Sequence, residues 1–339
     1  MPHCANPGGW GRVMKRRTAL CLLACPPACW AERPRILVVE SYHAEYRWDQ
    51  DYRQALVEML GQRYGLEFFE MNTKRLPVEM HADMAEKALA RIRSLQPVLV
   101  ILGDDAALHY LGAPLDRMDI PGVYLGINGN PRKYGQMHFR NITGVLERPL
   151  IKRNIAFIRQ ILPPVRKVLV LFDNDLSVQL IHAELFEGKP SMVVDGMQVD
   201  LKLCKSLAEW KQSILTAPSD GYQVTIAGTY HTLTLPNGKV ADANEVIAWA
   251  CANTRLPLFA LWEFAVGPNK AIGGLVLSSY EQGKAAAAIA LDILEKGAKP
   301  SERVPVTARQ GDFVFSKSQL ARFHLVLPPD IAAQAQWME

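Results

Sequence analysis

The residues best suited to chemistry in this chain sit in short polar segments, each directly after an apolar run. Ser41-Tyr42-His43 follows 35–40, Gly103-Asp104-Asp105 follows 98–102, and Asn128-Gly129-Asn130 follows 122–127. Further along, Asp173-Asn174-Asp175 follows 167–172, Gly228-Thr229-Tyr230-His231 follows 223–227, and Trp262-Glu263 follows 258–261. Asp, Asn, Ser and Gly after a strand are also ordinary turn and helix-cap residues, so no single segment marks a site. Their recurrence, together with the rings of Tyr42, Tyr230 and Trp262 that capping does not explain, points to an aromatic-walled pocket for a small organic ligand. The adjacent acids Asp104 and Asp105 favour an ammonium or hydroxyls. A helix beginning there would instead offer backbone N–H groups to a carboxylate, so the sign of the ligand charge stays open.

Catalytic signatures are absent. There is no Gly-x-Ser-x-Gly elbow, no Walker loop, no His-Glu-x-x-His pair and no closely spaced His/Cys set for a metal. His43, His109 and His231 stand apart in the sequence and each reads as a hydrogen-bonded surface or pocket residue. Convergence of His43 or His231 with Asp104 or Glu263 is the remaining route to acid–base chemistry. The reading is a binding protein and not an enzyme, with no catalytic residue, metal or cofactor.

Composition narrows the partners. The 339 residues carry 38 Lys and Arg against 34 Asp and Glu, a net charge of +4. Arg12, Lys15, Arg16 and Arg17 supply the excess, and the remaining 34 cations balance the 34 acids. A neutral body lacks the clustered cations that track phosphates, which argues against nucleic acid. The basic segment 15–17 precedes the apolar run 19–24 and a small-residue exit at Cys29-Trp30-Ala31, the order of a secretory signal peptide covering 1–31. Pro26-Pro27 cuts the run short of the roughly 18 apolar residues that a membrane span needs. Leu22-Leu23-Ala24-Cys25 also loosely resembles a lipoprotein processing site that would lipidate Cys25. Cys4, Cys21, Cys25 and Cys29 lie in the leader, which leaves Cys204 and Cys251 as buried free thiols or as a pair, the apolar segments around them favouring free thiols.

These polar segments need elements to hold them. Runs such as 35–40 (RILVVE) read as strands buried on both faces of a parallel sheet, and they alternate with helical patterns at 48–62, 79–95 and from 104. A second series starts after 142–146 and a helix at 149–162. It runs through strands at 167–172, 198–203, 223–227 and 258–261 with helices between. The C-terminal part, 271–277, an Ala-rich helix 280–296 and a strand 303–307, either extends the second series or returns to the first. The expected fold class is therefore α/β, two doubly wound parallel-sheet lobes with a hinge, each large enough for its own core. The lobes are expected at 32–146 plus about 278–310 and at 147–277, with 311–339 as a tail packing across both.

Several stretches together carry a family likeness: Leu102-Gly103-Asp104-Asp105, Ile142-Thr143-Gly144-Val145, Gly273-Gly274-Leu275 through Gln282-Gly283 with its Ala-rich helix, and the tail from Phe315 to Pro328. In these the chain resembles the substrate-binding proteins of ABC transporters related to the tryptophan/tyrosine-uptake group. The resemblance implies a type I periplasmic-binding fold, three crossovers and a ligand held between the lobes by hinge closure. It also implies a monomer in the periplasm that serves an inner-membrane ABC permease. Carried over by position, Ser41, Tyr42, Asp104 and Asn128 of the first lobe would face the ligand, and the reading of the same loops adds His43 and Asp105. From the second lobe, Asp173, Thr229, Tyr230, Trp262 and Glu263 would face it as well. Amino-acid-binding relatives usually offer small hydroxyl residues where this chain has Asp104-Asp105. Trp262-Glu263-Phe264 before Gly273-Gly274 is similar to binding domains attached to, or encoded beside, bacterial sensor kinases, so the alternative partner is a sensor histidine kinase or cyclase.

Overall fold

The computed structural model of the chain describes residues 33–131, 139–308 and 311–339. The segment 1–31, expected as a signal peptide, and Cys25 within it fall outside the described residues. The first half alternates β1 (Arg35–Glu40), α1 (Arg47–Leu60), β2 (Gly65–Glu70), α2 (His81–Leu95), β3 (Leu99–Gly103), α3 (Asp104–Asp116), β4 (Gly122–Ile127) and β5 (Ile142–Leu146). β3 and β4 are buried along their whole length, and β1 from its second residue on, which is why they read as continuous apolar runs. α1 turns Tyr52, Ala55, Leu56 and Leu60 inward, the helical spacing of a core-facing stripe.

The second half holds α4 (Ile151–Ile161), β6 (Lys167–Phe172), α5 (Leu176–Leu185), β7 (Ser191–Val194), β8 (Met197–Leu203), α6 (Leu207–Thr216), β9 (Val224–Ala227), α7 (Ala243–Asn253) and β10 (Leu258–Ala260). They build a five-stranded sheet in the order β10-β9-β6-β8-β7, parallel except for β7. The strand at 198–203 thus has a hairpin partner that the strand–helix alternation does not show. Asp195 and Gly196 join the two with φ of 49° and 78°, the left-handed pair a two-residue hairpin needs.

The remainder comprises β11 (Gly273–Val276), α8 (Ser279–Lys296), β12 (Val306–Thr307), β13 (Asp312–Phe315), α9 (Lys317–Arg322), α10 (Pro329–Ala332) and β14 (Gln336–Trp337). The C-terminal part extends one sheet and returns to the other. β11 lies along β10, with the Ile272 N–H on the Leu258 carbonyl at 2.7 Å, and forms a third sheet in the order β11-β13-β14. α8 packs against α1, where a Cβ on Gly283 would lie 2.7 Å from the Tyr52 carbonyl oxygen. β12 then closes the first sheet as β12-β5-β4-β3-β1-β2, all parallel. The expected strand 303–307 shrinks to its last two residues, because a 3-10 turn occupies Pro300–Glu302 and Pro305 has no N–H for a ladder. The chain passes between the sheets after β5, between β11 and α8, and between β12 and β13. Arg322 of α9 donates to the Cys251 and Thr254 carbonyls at the end of α7 at 2.5 and 3.1 Å. Cys204 and Cys251 are both buried and free.

Candidate functional site

The carboxyl ends of both parallel sheets converge on a small cavity of about 20 Å³ between the lobes. Tyr42, Tyr46, Trp48, Lys74, Asp104, Asn128 and Glu147 line it from the first lobe and its exit strand. Asp175, Ser177, Val178, Ile181, Thr229 and Trp262 line it from the second. Contacts across the gap hold it narrow: the Tyr42 and Ser177 hydroxyls lie 3.0 Å apart, Lys74 pairs with Asp175, and the Trp262 indole N–H donates to Glu147 at 2.6 Å. Beside them runs an aromatic seam in which Tyr46 meets His231 edge-on at 4.6 Å and Trp262 stacks on Phe264 at 6.2 Å. Two larger cavities open outward. One of about 550 Å³ reaches from Tyr42, Lys74 and Asp175 to His81, His109 and Lys205. The other, of about 520 Å³, is bounded by His43, Tyr46, Tyr230, His231, Phe264 and Lys270.

Local backbone geometry aims the acids. Asp104 opens α3 directly after β3 with φ of 68°, a region few non-glycine residues enter and Asp enters more readily than most. Its Oδ2 accepts the Trp48 indole N–H at 3.2 Å. Opposite, Gly126 has φ of 70°, and a Cβ there would sit 2.9 Å from the Asp104 Oδ1. A glycine in β4 is thus required for the Asp104 side chain to lie where it does.

Ser41 works in the scaffold. Its hydroxyl donates to the Gly103 carbonyl at 2.6 Å and accepts the Ala107 N–H at 2.8 Å, tying the end of β1 to the start of α3. Asp105 accepts the Asn128 and Gly129 N–H groups at 3.2 and 3.0 Å and so shapes the loop after β4. Asp173 does the same for the loop after β9, accepting from the Thr229 hydroxyl at 2.6 Å and the Thr232 N–H at 3.0 Å. Asn128 donates to Glu147 at 2.8 Å, while its buried Oδ1 has no hydrogen-bond partner and is an acceptor left open beside the cavity.

Of the residues singled out from the sequence, Tyr42, Asp104, Asn128, Thr229 and Trp262 meet at the central cavity. His43 and Tyr230 line the 520 Å³ cavity instead, and Glu263 lies half-buried near Arg47 and Asp51, outside all three cavities. Asp175, from the polar segment after β6, joins the central group, and Tyr46, Trp48, Lys74, Glu147 and Ser177 line the centre without having been singled out. Two of them were within reach of the same reasoning, since Lys74 lies four residues after β2 and Glu147 directly after β5.

The electrostatics are those of crowded acids. Burial, then the charges of Asp49, Glu147 and Asp105, push the Asp104 carboxyl well above the usual carboxylate range. Burial likewise pushes Glu147 up to about 8, against the lowering effect of its bonds from Trp262 and Asn128. Burial opposes the charge on Lys74, but Asp175, Asp173 and Asp104 together outweigh it and hold this pKa above the ordinary lysine value. Among the described residues no group of three His, Cys, Asp or Glu could hold a metal ion. The arrangement suits capture of a cation by acceptors and ring faces.

Solved structures of other proteins share the fold. The ABC domain from Streptococcus pneumoniae in complex with L-Trp superimposes with a TM-score of 0.68 at 14% identity, over 91% of this chain and 100% of that one. A conserved domain protein from Vibrio cholerae gives 0.67 at 15% identity over 91% and 100%. The ligand-free, open form of a Clostridium difficile substrate-binding protein with adhesive properties gives 0.64 at 13% over 90% and 100%. These likenesses establish the fold as type I periplasmic-binding-protein-like. No curated protein sequence matches the chain. A family model described as ABC transporter substrate binding protein matches residues 135–338, more than half of the sequence. The chain belongs to the family of ABC transporter substrate-binding proteins.

Proposed function

We propose that the protein captures a small organic ammonium compound in the interlobe cleft, outside the cytoplasm, and delivers it to a membrane permease without changing it chemically. The observation that carries this reading is the lining of the central cavity. Asp104, Glu147, Asp175 and the open Asn128 Oδ1 are acceptors, the rings of Tyr42, Tyr46, Trp48 and Trp262 offer faces, and the one cation among the lining residues is Lys74, itself paired. Carboxylates that raise one another's pKa are relieved by an incoming positive charge, and aromatic faces attract cations. A cavity of about 20 Å³ holds little more than one water, so an organic ligand enters only when the lobes part and is enclosed when they close. The L-Trp held by the Streptococcus neighbour carries both an ammonium and a ring, and is one member of the class.

The test uses matched probes with the same ring and opposite charge, phenethylammonium and phenylacetate, with L-tryptophan alongside, in thermal unfolding and calorimetric titration. A probe at 100 times its dissociation constant stabilises the folded chain by about 2.7 kcal/mol. Binding of phenethylammonium and not of phenylacetate is the expected result, and the reverse preference sinks the ligand class. Asp104→Asn, which Asn tolerates at positive φ, and Trp262→Ala should each weaken ammonium binding at least ten-fold. Unchanged affinity in both variants would place the ligand elsewhere.

A further inference from the structure

We infer that Lys74 is a tethered occupant of the ammonium subsite, a built-in competitor that latches the cleft shut and that a ligand must displace. This rests on the reading of the cleft as an ammonium site. The Lys74 ammonium lies 4.2 Å from the ring centroid of Tyr42 and 5.4 Å from that of Tyr46, the geometry of a cation bound on aromatic faces. It pairs with Asp175 of the opposite lobe, so one side chain makes both contacts expected of a ligand ammonium and bridges the gap while doing so. Only 4% of the residue is exposed, and it lines both the 20 Å³ cavity and the 550 Å³ cavity outside it. It therefore stands in the wall between the outer space, large enough for an organic molecule, and the inner acceptors.

The position of Lys74 is built and not incidental. The turn before it is fixed by Asn72 at φ of 56°, by the Asn72 N–H on the Tyr42 carbonyl and the Thr73 N–H on the Ser41 carbonyl, both at 2.9 Å, and by the Thr73 hydroxyl on the same Ser41 oxygen at 2.8 Å. The loop that presents the lysine is thus bolted to the loop that presents Tyr42. A buried ion pair contributes little net free energy because desolvation offsets attraction, so the latch is reversible and a ligand with more contacts can replace it. If the latched form is populated about nine-tenths of the time, its removal raises apparent affinity about ten-fold.

The experiment measures the full-length chain by small-angle scattering in buffer and by calorimetric titration with phenethylammonium, for the parent, Lys74→Met and Asp175→Asn. Lys74→Met keeps a flexible apolar stem against the rings but removes the ammonium. It should enlarge the radius of gyration in buffer and tighten phenethylammonium binding about ten-fold. Asp175→Asn keeps the α5 cap but removes the shared acceptor; it should enlarge the radius likewise with no gain in affinity, and it serves if Lys74→Met does not fold. An unchanged radius in both variants overturns the latch whatever binds. A Lys74→Met chain that binds phenethylammonium more weakly than the parent also overturns it, since Lys74 would then help the ligand. Failure of phenethylammonium to bind any of the three overturns the ligand class, while the scattering still decides whether Lys74 holds the lobes together.

Discussion

Glu147 joins the two lobes through one carboxylate: its Oε1 takes the Trp262 indole N–H from the second lobe, and its Oε2 takes the Asn128 amide N–H within the first. With a pKa pushed up to about 8 by burial and an unfolded value near 4.5, the folded chain binds the extra proton between those limits. Stability from this group is therefore full below about pH 4.5 and is lost as pH rises through 8, at no more than about 1.4 kcal/mol per pH unit for one proton. His231, whose pKa is driven well below 6.5 by burial and then by Lys74, His43 and Lys270, works in the opposite direction, but only below about pH 6.5. Urea unfolding between pH 7 and 8.5 thus isolates the carboxyl effect, and Glu147→Gln should flatten the fall in stability seen in the parent. An undiminished slope would assign the proton to another buried acid such as Asp49, Asp104 or Asp173, all raised by burial. Glu147 was readable in principle, since the rule that ligands bind beyond strand ends holds after β5 as after β1. The division of labour among the acids was not. Asp104 faces the cavity and Asp105 faces the backbone because α3 begins between β3 and β4 with one residue at positive φ, which no spacing in the sequence encodes.

The elements themselves were largely legible, because a parallel strand buried on both faces is apolar throughout and a helix laid on the sheet shows its stripe. What escaped was pairing that depends on few residues. The β7–β8 hairpin rests on Asp195-Gly196, whereas β12 is the expected strand 303–307 reduced to two residues after Pro305. The contact of α8 with α1 rests on Gly283, which in sequence is only an interruption in an Ala-rich helix. Besides the Tyr52 carbonyl oxygen, a Cβ there would lie 2.9 Å from both the Tyr52 Cα and the Ala55 Cβ. Gly283→Ala should gain helix propensity yet destabilise the chain by about 1–3 kcal/mol through that overlap. The check is thermal unfolding beside Gly297→Ala at the left-handed C-cap of α8, where nothing lies within 4 Å and strain alone acts. A rise in midpoint for Gly283→Ala would mean that the two helices are free to move apart.

At the scale of the whole molecule, one buried cluster runs from Ile36, Val38, Leu99 and Ile101 of the first sheet through Tyr42, Tyr46 and Trp262 to Val168, Val170 and Ile226 of the second. The chain also passes between the sheets three times, so the first sheet is not completed by a single continuous stretch. α8 is made after β11, and the first sheet receives β12 only after the second sheet has been built. Such an arrangement couples the lobes in unfolding, while the seam across the gap is made of ring contacts and a few polar pairs. Calorimetric unfolding of the folded chain should therefore show a single transition, and a saturating ammonium ligand should raise all of it, by the few degrees that about 2.7 kcal/mol gives a chain of this size. Two separated transitions, of which the ligand moves one, would show that the lobes unfold independently and that the ligand is held by one lobe alone.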